Sequence, residues 1–144
     1  MDSIYNIYYI EVNTICIIIL LMMFFAVRGI KENVRMNVFR GMVVFDIIFC
    51  VTDVAAALLN GKLFVGARGI LWTVNILYFV SAFIVALLWL TLSMYILEEK
   101  IQDSYYICTM VFGILVVLFF ASAVFNGLCF TINEQNVYLR GPLL

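Results

Sequence analysis

The stretch at residues 39–60, FRGMVVFDIIFCVTDVAAALLN, limits what this chain can fold into more than any other. As a helix it rises about 1.5 Å per residue, roughly 33 Å in all, which is close to the hydrocarbon thickness of a bilayer. Yet it carries two carboxylates, Asp46 and Asp53. An aspartate at mid-bilayer costs roughly 2.5–3.5 kcal/mol on insertion scales, so it turns away from lipid. Asp46, Asp53 and Asn60 recur at intervals of seven. Seven residues make almost two turns, so all three share one helix face. Ala56 and Ala57 flank that face and allow a second helix to come close. The other segments must therefore close around this acidic face.

Those segments are apolar too. The 144 residues are 67% hydrophobic and 12% charged, with a mean hydropathy of +1.16. Soluble domains run at about 45–50% apolar and about 25% charged, so the composition is that of a membrane protein. A net charge of −1 supplies no basic surface for nucleic acid. The hydrophobic pattern predicts helices at about residues 8–27, 39–60, 71–96 and 105–130. The connections, 28–38, 61–70 and 97–104, are as short as antiparallel neighbours need. The expected fold is an all-α, polytopic transmembrane bundle of four helices, one domain over residues 1–144. Its first segment has no basic leader and carries Asp2 and Glu11, so it reads as a retained helix rather than a cleaved signal.

Lysine and arginine placement gives the expected orientation. Arg28, Lys31, Arg35, Arg40 and Lys100 fall on one side; Lys62, Arg68 and Arg140 fall on the other. The positive-inside rule puts the first loop in the cytoplasm and the N-terminus outside. Residues 131–144 are then also outside. Weak alternation around Asn133 and Asn136 predicts a small hairpin there. Gly141-Pro142 and then Leu143-Leu144 suggest the start of a fifth helix, so the chain is expected to be the N-terminal fragment of a longer protein.

Polar groups collect in the outer half of the expected bundle: Glu11, Asn13 and Thr14, then Asp53 and Asn60, then Asn75 and Tyr78, and Asn126. The functional reading is a pocket that binds a small ligand or cation or senses protons. Asp53 anchors it, and Tyr78, Asn75, Glu11 and Asn126 are the other ligand or sensing candidates. The plainer alternative is that these groups hydrogen-bond one another and hold the helices together. Asp53 favours the pocket, because a neutral residue would join helices equally well at lower cost. Asp46, in the inner half, is expected to pair with Arg28, Arg35 or Arg40 as a packing or topology lock. Ala82/Ala86 and Ala123/Gly127 are small-residue pairs that favour close helix contact. Tyr5, Tyr8, Tyr9, Trp72, Tyr95, Tyr105, Tyr106 and Tyr138 read as an interfacial aromatic belt.

The four cysteines, Cys16, Cys50, Cys108 and Cys129, all sit in apolar runs, and the chain has no histidine. They read as small buried hydrophobes, with a Cys16–Cys129 disulfide as the minor alternative. No phosphate-binding glycine loop, nucleophile elbow or metal-ligand spacing is present. The chain is expected to be no enzyme and to carry no metal or other cofactor.

Four stretches carry a resemblance: YIEVNTICIIILL at 9–21, VTDVAAALLNG at 51–61, WTVNILYF at 72–79 and FTINEQNVYLRGPL at 130–143. The chain resembles the N-terminal multi-pass membrane region of Firmicutes signalling proteins that end in a GGDEF-type diguanylate cyclase domain. That resemblance implies a bacterial cell-membrane location and a role as sensor or anchor controlling cyclic di-GMP synthesis. It also implies a cytoplasmic output domain after residue 144. The GGDEF motif itself lies outside these residues, so no catalytic residue is carried over. The partners expected are the bilayer, a small ligand in the outer half, the output domain and a second copy in a homodimer. Two alternatives stand beside this reading: a fragment of a small-solute or ion transporter, and a small structural or assembly membrane protein.

Overall fold

A computed structural model describes residues 2–31, 33–97, 107–116, 127 and 130–142, with backbone alone for residues 2–6 and 9. Helix α1 is Asp2–Arg28, α2 is Val34–Leu59 and α3 is Ala67–Leu97. A shorter helix, α4, is described over Ile107–Val116. Strands β1 (Phe130–Ile132) and β2 (Tyr138–Arg140) form an antiparallel pair, with Phe130 opposite Arg140 and Ile132 opposite Tyr138. The fold is all-α with this one hairpin added. Among the described residues, three helices are long and apolar enough to cross a membrane, over Ile10–Arg28, Val34–Leu59 and Ala67–Leu97.

Helix α2 is the centre of the arrangement. It packs along both α1 and α3, while the α1 and α3 backbones stay more than 8 Å apart between Cα atoms among the described residues. The ring of Phe112 on α4 meets Phe83 on α3 at 6.3 Å. Large apolar side chains face outward all along α1, Ile15, Ile18, Met22 and Phe25 among them. A helix that is apolar on every side needs an apolar environment on every side.

The helix ends differ from the sequence-based bounds for local reasons. Helix α2 begins at Val34, five residues earlier than expected, because Asn33 caps it. Asn33 has an extended backbone, and its side-chain oxygen accepts from the Met36 amide at 2.7 Å. That satisfies one of the amide donors a helix start leaves open. Helix α3 starts at Ala67, directly after Gly66 at φ +84°. The helix expected to run from 105 to 130 stops short of its predicted end. Gly127 takes φ +98°, where a side chain is strained, and Phe130 is already in β1.

The expected hairpin is present, and its turn has a clear chemical cause. Asn133 Oδ1 accepts from the Gln135 and Val137 amides at 3.0 and 2.9 Å. Asn136 takes φ +57°, a left-handed position that asparagine tolerates better than most residues. Alternation along β1 turns Phe130 and Ile132 inward. Both are fully buried, as is Leu71 at the start of α3, and the three form one cluster. Ala56, Leu59, Trp72, Ile76, Phe79, Phe83 and Tyr138 pack against it. This buried cluster thus lies where the hairpin covers the junction of α2 and α3. Burying a side chain such as Phe130 contributes about 1.5–3 kcal/mol.

Candidate functional site

Four hydrogen bonds strap the hairpin to the end of α2. Asn136 Nδ2 donates to the Leu59 carbonyl at 3.1 Å and to the Lys62 carbonyl at 2.8 Å. The Gly61 amide donates to the Asn136 carbonyl at 2.7 Å. The Tyr138 amide donates to Asn60 Oδ1 at 2.8 Å. A helix C-terminus leaves carbonyls without intrahelical donors, and the asparagine supplies donors to that end. Asn136 is buried in doing so, at 2% exposure.

Beneath the strap lies a cavity of about 410 Å³ between the last turns of α2 and the first turns of α3. Asp53, Ala56, Ala57 and Asn60 form the α2 wall. Leu71, Asn75, Tyr78 and Phe79 form the α3 wall, and Tyr138 and Arg140 close it from the hairpin. The alanines leave the space. Asp53 is half-buried, and Asn13 of α1 donates to its Oδ2 at 3.1 Å from the far side of α2. Asn75 is buried, and its Nδ2 donates one turn back to the Leu71 carbonyl at 2.8 Å. That leaves its side-chain oxygen as an acceptor on the cavity wall. Tyr78 is held by stacking on Phe49, with ring centroids 4.6 Å apart, and by an edge contact to Phe79 at 5.1 Å. Tyr138 stacks on Phe130 at 5.5 Å.

Asp53, Tyr78 and Asn75, singled out from sequence, thus line one cavity. Glu11 does not join them. It is exposed on α1, two residues from Asn13, and two residues along a helix turn a side chain roughly 200° away. Asn126 lies outside the described residues.

Arg40 acts on α1. Its Nη2 donates to the carbonyls of Val27, Arg28 and Ile30 at 3.0, 3.2 and 2.8 Å, so a cation closes the C-terminal end of that helix. Asp46 takes part in no hydrogen bond or ion pair among the described residues, so the expected pairing with Arg28, Arg35 or Arg40 is not formed. The side chain of Arg40 reaches across the loop instead of along its own helix. Arg35 is exposed in the first turn of α2. Cys16, Cys50 and Cys108 are free thiols; the Cys16–Cys129 alternative involves Cys129, which lies outside the described residues.

Sequence reasoning missed two members of the site. In the sequence Tyr138 fits the interfacial belt, and Arg140 counts only as a charge in the topology balance. A signal for both existed in the hairpin pattern, since β2 brings them back over α2. What that pattern lacks is where the hairpin docks. The site offers a carboxylate, a guanidinium, two phenols, two carboxamides and aromatic faces. Those are binding groups, and no cluster of three or more potential metal ligands occurs among the described residues. No family model matches the chain, and no curated protein or solved structure matches it.

Proposed function

We propose that this chain is the membrane-embedded input region of a bacterial signalling protein, and that the cavity beside Asp53 receives the small ligand it answers to. One observation carries this reading: polar groups from two otherwise apolar helices, Asp53, Asn75 and Tyr78, line a single cavity of about 410 Å³. Ligand sites fall at roughly 300–1,000 Å³, with a few polar groups set in apolar walls. An ionisable residue inside a membrane segment is costly and faces a bundle interior or a cavity, which makes Asp53 the anchor of this site.

In this proposal α1, α2 and α3 cross the bilayer with the N-terminus outside, so the cavity and its strap lie at the outer face. The Arg40-capped loop lies in the cytoplasm. The strap is the element whose position a ligand would shift, by binding more tightly to one arrangement than to another. Output runs through a cytoplasmic GGDEF-type domain that makes cyclic di-GMP. That part rests on the resemblance in residues 9–21, 51–61, 72–79 and 130–143. Pairing with a second copy would bring two such output domains together.

The test reads the source gene past codon 144 and measures cyclic di-GMP in cells carrying Asp53→Asn in the full-length product. The expected result is further hydrophobic segments, then a GGDEF-type domain, and a cyclic di-GMP level that no longer follows the conditions that change it in the parent. A stop codon directly after Leu144 overturns the input reading. A variant that responds like the parent overturns the assignment of the cavity.

A further inference from the structure

Helices α1 and α2 each carry a cysteine inside a membrane-length span, and the cavity uses neither. Cys16 lies in Ile10–Arg28 and Cys50 in Val34–Leu59, and both are free thiols. The two helices are antiparallel, with Arg40 of α2 bonded to the Val27 carbonyl near one end and Asn13 of α1 bonded to Asp53 farther along. Between antiparallel helices, three residues forward on one and three back on the other stay at the same level. Those steps lead from Asn13 and Asp53 to Cys16 and Cys50. We propose that Cys16 and Cys50 are a redox pair that closes into a disulfide between α1 and α2, with a membrane-soluble quinone as the oxidant. This goes beyond the ligand-site reading and takes from it only the placement in the bilayer.

Burial agrees with this register. On α1 the half-buried positions Asn13, Cys16, Leu20, Phe24 and Val27 recur every three or four residues. That spacing marks one helix face. Asn13 on it bonds to Asp53, so the face is the one turned to α2. Cys50 is buried on α2. Among the ionisable groups around Cys50, Cys16 acts on it most strongly, ahead of Asp46 and Asp53. A disulfide needs Cα atoms about 4.4–6.8 Å apart. The α1 and α2 backbones approach within 8 Å, so a small helix rotation suffices to close the pair. The surroundings select the oxidant. Thiols in apolar surroundings ionise poorly and resist oxidants dissolved in water, whereas a quinone partitions into the layer that holds them. Closure breaks both S–H bonds and forms one S–S bond. The two electrons and two protons pass to the quinone, which leaves as the hydroquinone. In the closed form α1 is fixed to α2 one turn from Asn13 and Asp53.

The test places the reduced 144-residue chain in nanodiscs, one chain to a disc, and adds ubiquinone-1 without oxygen. The ring of that quinone is fully substituted, so it does not alkylate thiols. Thiols are counted after denaturation, hydroquinone is followed by absorbance, and linked peptides are identified by mass spectrometry. The expected result is the loss of two of the four thiols, a Cys16–Cys50 linked peptide, one hydroquinone formed per chain, and full recovery of the thiols with dithiothreitol. Cys16→Ala and Cys50→Ala each abolish the loss, while Cys108→Ala and Cys129→Ala leave it unchanged. Circular dichroism checks that each variant keeps its helices. Diamide, run in parallel, separates the pair from its oxidant: a Cys16–Cys50 link formed with diamide alone overturns the quinone and leaves the redox pair standing. A loss abolished by Cys129→Ala and not by Cys50→Ala overturns the pair in favour of Cys16–Cys129. Four thiols retained under both oxidants overturn the proposal altogether and make the two cysteines packing residues. The cyclic di-GMP response of Asp53→Asn reads the ligand site separately from all of these outcomes.

Discussion

Replacing Asn136 by alanine tests whether the strap holds the cavity closed. The substitution removes two hydrogen bonds, to the carbonyls of Leu59 and Lys62. Each contributes about 0.5–1.5 kcal/mol net. It also places alanine at φ +57°, where the left-handed backbone costs an L-residue roughly 1–2 kcal/mol and asparagine somewhat less. One term opposes these losses. Asn136 Oδ1 is buried without a partner, and removing it returns about 1 kcal/mol of desolvation. The balance is a loss of about 2 kcal/mol for the closed strap, or roughly a thirtyfold rise in its open population at about 1.4 kcal/mol per decade. Amide hydrogen exchange reads that population directly. The reporters are the Gly61 amide, bonded to the Asn136 carbonyl, and the Tyr138 amide, bonded to Asn60. Both should exchange roughly thirtyfold faster in Asn136→Ala, while amides in the middle of α2 keep their parental rates. Asn136→Gly should recover about 1 kcal/mol of the loss, because glycine accepts the left-handed backbone. Parental exchange at Gly61 and Tyr138 in the alanine variant would refute the strap as described.

Substitutions at three further positions separate local effects. Arg40→Ala strips three carbonyls at the end of α1 of their donor and should lower stability by about 1.5–3 kcal/mol, with Arg40→Lys between the two, read from thermal midpoints in detergent. Gly127→Ala sets a side chain at φ +98° with its Cβ 3.3 Å from Thr131 Cβ; a loss of about 1–3 kcal/mol should appear as faster exchange in the hairpin, and an unchanged hairpin would count against the turn geometry. Gly41→Ala goes the other way. Its Cβ would meet Leu88 Cδ1 at an ordinary 3.7 Å inside α2, so the thermal midpoint should rise by the equivalent of about 0.5–1 kcal/mol. A fall there would mean that α2 and α3 pack more closely at Gly41 than the structure describes.

Several features were legible because they are written in short spacings. Apolar runs fixed the three long helices, and the recurrence of Asp53 and Asn60 put both on one α2 wall of the cavity. Asn75 and Tyr78, three apart, share the facing wall for the same reason. The Asn33 cap is equally local, but a boundary drawn from hydrophobicity does not register it, so α2 begins before its predicted start. Depth alone groups Glu11 with Asn13, and helical rotation separates them.

The sequence by itself determined the elements: which segments are helices, that their surfaces are apolar on nearly every side, and that a hairpin turns at Asn133 and Asn136. Periodicity and turn chemistry act over a few residues, so one strand of sequence holds that information. Only the tertiary structure decided that Arg40 closes α1, that Asn136 seizes the end of α2, and that Tyr138 and Arg140 complete a cavity begun by Asp53. Those partners lie far apart along the chain; Asn136 and Leu59 are separated by 77 positions. Their meeting depends on where the hairpin docks. That is set by the burial of Phe130 and Ile132 against Leu71 and by single hydrogen bonds to backbone carbonyls, neither of which has a period to read.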